Sequence, residues 1–181
     1  MRASAKLRIP FLLFSIGAAA GCGSGDPLVP DPGDSVLVEN ATGFAVASSG
    51  GGFVLPLPQG AACDPGIWTY TVRIDASQFL WDRCDVVGDA TDPASYTPSS
   101  GSRVLPVNEL DAALTAARMV HVSNQNICGA DKPTVHMTVT SSAGDMVYGD
   151  DFYSCTKQDD AYVVSQELDN LAAHLRSLVQ R

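Results

Sequence analysis

The side chains able to carry chemistry are few, and their spacing decides most of what they can do. Cysteines stand at 22, 63, 84, 128 and 155, and histidines at 121, 136 and 174. No two of these cysteines lie two to four residues apart, so the paired-cysteine clamp of a structural zinc site is not encoded. No histidine has a second histidine at i+4 or an acid in a His-x-Glu arrangement, which removes the zinc-hydrolase helix. There is no Gly-x-Ser-x-Gly elbow either. A serine, a histidine and an aspartate distant in sequence can still meet in space. A hydrolase using His121 or His136 with a nearby Asp and Ser is therefore the alternative reading. In GDMVYGDDFYSC, Asp145, Asp150 and Asp151 form a calcium candidate through their oxygen ligands, but they miss the alternating acids and closing glutamate of an EF-hand loop. The plainer expectation for them is a solvated acidic rim, and no cofactor is expected.

The elements that must position these groups follow from the apolar pattern. WTYTVRID and QFLWD are rich in β-branched and aromatic residues around a turn at Ala76-Ser77, and predict a hairpin. Cys63 precedes it and Cys84 follows it. TVHMTVT and DMVYGDDFYS repeat the plan around Ser142-Ala143-Gly144, with Cys128 before and Cys155 after. Four cysteines allow three connectivities, and folding each hairpin back on itself favours Cys63 with Cys84 and Cys128 with Cys155. Further upstream, SVLVEN, GFAVA and FVLPLP predict an N-terminal hairpin turning at SSGGG.

Each cysteine-bracketed hairpin precedes a helical pattern. In NELDAALTAARMV, Leu110, Ala113, Leu114 and Ala117 share a face and Asn108 is placed to cap. In DDAYVVSQELDNLAAHLRSLVQR the stripe is Val164, Leu168, Leu171, Leu175 and Leu178, with Asp159 or Asp160 as the cap. One apolar face per helix predicts packing on a sheet, so the expected class is α+β: antiparallel hairpins with two helices on the sheet and two disulfides. The recurrence of Glu-Leu-Asp in both helices suggests a duplicated ββα unit. On the first hairpin Trp68, Tyr70 and Trp81 are candidate interaction residues if exposed, and core residues if not.

Cys22 has no place in these pairs. Before it, MRASAKLR is basic without an acid, and IPFLLFSIGAAA is apolar for about a dozen residues, roughly 18 Å as a helix, short of the roughly 30 Å hydrocarbon core. That is an export signal rather than a permanent span. Ala19-Ala20-Gly21-Cys22 resembles the lipobox of bacterial lipoproteins, with Ala19 where that family usually has Leu. The resemblance covers only the first twenty-odd residues. It implies cleavage before Cys22, acylation of its thiol and new amino group, and a membrane partner held through covalent lipid. In Gram-negative lipoproteins an Asp after the acylated cysteine favours inner-membrane retention; Gly23 stands there, which implies the outer membrane.

The domain plan is then a signal peptide at 1–21, a lipidated cysteine and tether at 22–34, and one globular domain at 35–181. The tether, rich in glycine, proline and aspartate, cannot bury a core and reaches roughly 35 Å. Removing residues 1–21 takes three of eleven basic side chains and none of twenty acids, moving the net charge from −9 to −12. Such a surface repels phosphate backbones, so no nucleic-acid partner is expected. The function expected is a lipid-anchored envelope protein, non-catalytic, whose domain binds, scaffolds or inhibits a protein or another envelope component. Replacing the cysteine in Cys22→Ala should abolish metabolic lipid labelling and release the chain from the membrane fraction; persistence of both would refute the lipobox reading.

Overall fold

The computed structural model describes residues 30–51, 56–125, 129, 132–152 and 161–179. The elements run β1 (Ala41–Ser49), β2 (Ile67–Arg73), β3 (Gln78–Val86), β4 (Tyr96–Val104), α1 (Val107–Arg118), β5 (Val135–Ser141), β6 (Gly144–Asp150), β7 (Ala161–Val163) and α2 (Ser165–Val179). The strands form one sheet in the order β4-β3-β2-β1-β5-β6-β7, antiparallel except for the parallel β6–β7 pair. The class is α+β, as the sequence predicts. Among the described residues no helix is long and apolar enough to cross a membrane.

Strand alternation sorts the sheet into two unlike faces. Across the middle of one face the register lines up Phe79, Val72, Phe44 and Val139, and beside them Trp81, Tyr70, Val46, Met137 and Tyr148. Both helices cover this face. Ala113 and Ala117 of α1 and Leu168, Leu171, Leu175 and Leu178 of α2 join these strand residues in a single buried cluster. The opposite face shows Thr69 and Thr71, Ala45 and Ala47, and His136 and Thr138 at the alternate positions. An antiparallel sheet tolerates such a half-solvated arrangement.

Arg103 of β4 locks the two helices to the sheet edge. Its Nε donates to the Leu178 carbonyl at 3.2 Å, near the end of α2, and its Nη2 pairs with Glu109 of α1 at 2.5 Å. A cation on the last carbonyls of a helix also complements the helix dipole.

Several expectations need correction. The expected N-terminal hairpin falls partly on residues 52–55, outside the described residues, but GFAVA cannot be one of its strands: β1 is the central strand, with both edges taken by β2 and β5, while Ser35 bridges His121. The duplicated ββα unit is overturned by handedness. β2 and β5 are both antiparallel to β1, yet their hairpins extend from it in opposite directions beneath helices on the same face, so no rotation superposes one unit on the other. Strands β4 and β7 were not anticipated. β4, YTPSSGSRV, lacks the β-branched signature, and an edge position tolerates its Pro98.

The caps also differ. α1 begins after Pro106 with no side-chain cap, leaving Asn108 inside the first turn. At the start of α2, the Ser165 N–H donates to Asp151 Oδ1 at 3.0 Å, so a carboxylate on the preceding hairpin serves the helix N-terminus. Asp159 and Asp160 lie outside the described residues, as do Cys22, Cys128 and Cys155. The chain joins the fold slightly earlier than expected: Gly33 N–H donates to the Val122 carbonyl, and Val122 N–H to the Asp34 carbonyl, both at 2.9 Å.

The Cys63–Cys84 disulfide forms as predicted, with Cα atoms 5.6 Å apart and a sequence separation of 21. It fastens the segment entering β2 to the far end of β3. Closing a loop of that size restricts the unfolded chain by about 3 kcal/mol. Cys63→Ala with Cys84→Ala should lower unfolding stability by about 3 kcal/mol in a denaturant titration, without changing far-UV circular dichroism.

Candidate functional site

Of the histidines and carboxylates singled out by sequence, His121, Asp150 and Asp151 are built into the frame. His121 donates its backbone N–H to Glu167 Oε2 at 2.9 Å and holds Nδ1 3.1 Å from the same oxygen. Two residues on, the Ser123 hydroxyl donates to Asp151 Oδ2 at 2.5 Å rather than to an imidazole. His136 faces away from the helices on β5, opposite Ala47. The calcium candidate comes apart: Asp145 and Asp150 stand at opposite ends of β6, five residues or about 17 Å apart. Among the described residues no cluster of three ligating side chains could hold a metal ion.

Asp150 and Asp151 are buried, and each is partnered. Asp151 takes Ser123 and the α2 N-terminus; Asp150 accepts from Lys132 Nζ at 2.5 Å and from the Phe152 N–H at 3.0 Å. Lys132 Nζ also lies 2.9 Å from Asp169 and 2.6 Å from Ser165 Oγ. A Lys–Ser contact invites comparison with a nucleophile–base pair. Burial alone would lower the Lys132 pKa, but the two carboxylates outweigh it and hold the value above the ordinary lysine range. A lysine kept protonated cannot take a proton from serine. The cluster therefore pins β6 to α2. The acids that follow Cys84 in the sequence are engaged too: Asp85 pairs with Arg83 at 2.8 Å, the Thr91 N–H and hydroxyl hold the Asp89 carboxyl below its ordinary pKa, and Asp92 accepts from the Ala94 N–H.

The hairpin aromatics divide. Tyr70 and Phe79 are buried beneath α2 with ring centroids 6.2 Å apart, and Trp81 stacks on Phe79 at 5.7 Å while its ring covers Gly101. Tyr70 is thus a packing residue, contrary to its candidacy as an exposed patch, while Trp81 and Trp68 are both only partly covered. Trp68 differs in meeting a cation. It lies 5.1 Å from Tyr70 and is only partly covered, with the Arg176 guanidinium of α2 5.8 Å above its ring. This is cation–π distance.

Around Trp68 a cleft of about 300 Å³ opens between the C-terminal half of α2 and the ends of β2 and β3. Its walls are Pro65, Trp68, the edge of Tyr70, Arg83, Asp85 and Arg176, with Cys84 of the disulfide at its base. Two of the six cations among the described residues meet here. Arg83 spends Nη2 on Asp85, whereas its buried Nε has no acceptor among the described residues. Arg176 lies on an exposed position of α2 with its guanidinium carbon over the Trp68 ring. Hollows of about 450 and 430 Å³ on the open face are larger, but are lined mainly by threonine, serine, alanine and backbone.

Sequence reasoning reached Trp68 and Cys84 but missed both arginines. Arg83 carried a signal: it stands two residues after Trp81 on β3, so the same face was expected. Arg176 meets Trp68 only through the tertiary crossing of α2 over β2. No protein-family model, curated protein or solved structure matches the chain.

The Lys132 cluster yields a signed expectation. A lysine whose folded pKa exceeds its unfolded value contributes stability that is complete below about 10.5 and disappears as pH rises through the folded value. Lys132→Met leaves buried Asp150 unpaired and should cost about 3 kcal/mol near neutrality. The gap between wild type and variant should narrow in denaturant titrations above pH 10.5.

Proposed function

We propose that this chain is an exported, lipid-anchored envelope protein whose folded domain is a non-catalytic binding module, with the Trp68–Arg83–Arg176 cleft as its binding site. The carrying observation is the cleft: an aromatic floor and two guanidiniums with unspent donors, on a domain where His121, Lys132, Asp150 and Asp151 are engaged in holding the frame. Small-molecule sites combine apolar walls with a few convergent polar groups in this way. The placement suits a tethered protein. The chain enters at the outer side of β7, where Val122 bridges Val163 and in turn pairs with Asp34. From there to β2 is six strand spacings, roughly 29 Å. A domain leashed at that edge would present the cleft away from the lipid.

The second disulfide, Cys128 with Cys155, belongs to the same proposal. Its support is the Gly129 N–H donating to the Phe152 carbonyl at 2.8 Å, with the Phe152 ring lying over Gly129. Gly129 follows Cys128 directly in the sequence, and Phe152 stands three residues before Cys155. Non-reducing peptide mapping should recover a 128–155 linked peptide beside the 63–84 one.

Address and binding are tested separately. The resemblance behind outer-membrane placement predicts that Gly23→Asp shifts the chain toward the inner-membrane fraction of a Gram-negative host. For the cleft, crosslinked partners recovered from envelope extracts should be lost with Trp68→Ala and retained with His121→Ala. Loss with His121→Ala alone would instead favour the hydrolase alternative.

A further inference from the structure

Resting on the cleft reading above, we infer that the cleft takes a single carboxylate carried on a ring or comparable apolar body. Charge, shape and size each narrow the class. The site concentrates two guanidiniums against one carboxylate, Asp85, in a chain whose overall charge is −9. A local excess of cation in an acidic domain selects an anion at short range, while the surrounding field disfavours a polyanion. One negative charge satisfies both conditions.

The donors define the anion further. A guanidinium presents planar N–H forks that match a carboxylate in two parallel bonds. Arg176 is braced by Trp68, which reduces the rotamer freedom lost on binding. Arg83 is oriented by Asp85 at 2.8 Å and retains further donors beyond the one this pair uses.

The apolar part is set by Pro65, the partly covered Trp68 ring and the edge of Tyr70. About 300 Å³ accommodates one ring with a short carboxylate arm, at the lower end of ligand-site volumes. Free ring-bearing acids and the C-terminal residue of a peptide share this chemistry.

The test uses the full chain in detergent, following the Trp68 indole N–H by NMR. The probes are N-acetyl-L-phenylalanine as the chain-end form, 3-phenylpropionate as the free acid, and N-acetyl-L-phenylalaninamide as the uncharged match. At least one acid should bind about tenfold more tightly than the amide, and Arg176→Gln should erase about tenfold of that affinity while leaving the melting curve unchanged. Preference between the two acids assigns the source, chain end or free acid. Equal binding of acid and amide would overturn the inference, as would unchanged acid affinity in Arg176→Gln or no response to any probe. The partner-recovery experiment separates the two levels: if recovery still requires Trp68 while no acid binds, the cleft stands and the ligand class falls.

Discussion

Every layer of this fold depends on the double pairing of β1. Phe44 lies opposite Val72 on one side and Val139 on the other, and Val46 opposite Tyr70 and Met137. The strand joins two hairpins that are remote in sequence and otherwise have no shared sheet. Its pattern suits that position: Phe44 and Val46 face the helices, while Ala45 and Ala47 alternate onto the open face. Gly43 belongs to the same logic, because a Cβ there would come within 2.9 Å of the Val72 carbonyl oxygen.

Two hairpins of opposite hand on one central strand leave a single apolar face for both helices. α2 must therefore run across the sheet, from Asp151 and Lys132 at its start to Arg103 and Trp68 near its end. Polar anchors occupy those ends and leucines fill the middle. The arrangement explains why so many ionisable side chains serve as fastenings. A buried carboxylate without a partner is costly, whereas one that accepts from a lysine or a helix N-terminus fixes register as well as charge.

Local features were legible in the sequence and global ones were not. The turn at Ala76-Ser77, the Ser142-Ala143 loop, the leucine stripe of α2 and the Cys63–Cys84 bridge all depend on near neighbours or on strand and helix period. The position of β1 could not be read in this way, because its partners are chosen by long-range pairing and GFAVA looks equally suited to a local hairpin. Trp81 carries no mark distinguishing core from surface; its ring meets Gly101 only because β4 pairs with β3, and it remains partly covered. In sequence Asp151 reads as one of three clustered acids, and its role as a cap for α2 depends on a contact fourteen residues away. The cleft was legible only in part for the same reason: Trp68 and Arg83 lie on adjacent strands, while Arg176 arrives from the last helix.

The cleft's electrostatics follow from this architecture rather than from local sequence. A chain with twenty acids and eleven bases offers few places where cations outnumber carboxylates. Arg103 and Lys132 are consumed at the helix ends, and Arg73 projects from the β2 end remote from Trp68. Arg83 and Arg176 line one cleft because β3 carries one beside β2 while α2 brings the other across it. The disulfide beside Arg83 holds the strand end against the loop containing Pro65, so the wall and the charge are fixed by the same bond. Pre-ordering of this kind lowers the entropic cost of capturing a small ligand. It also separates the two demands on the molecule, since the end of the chain proposed to carry the lipid enters at β7 and the positive cleft opens on the other side of β1.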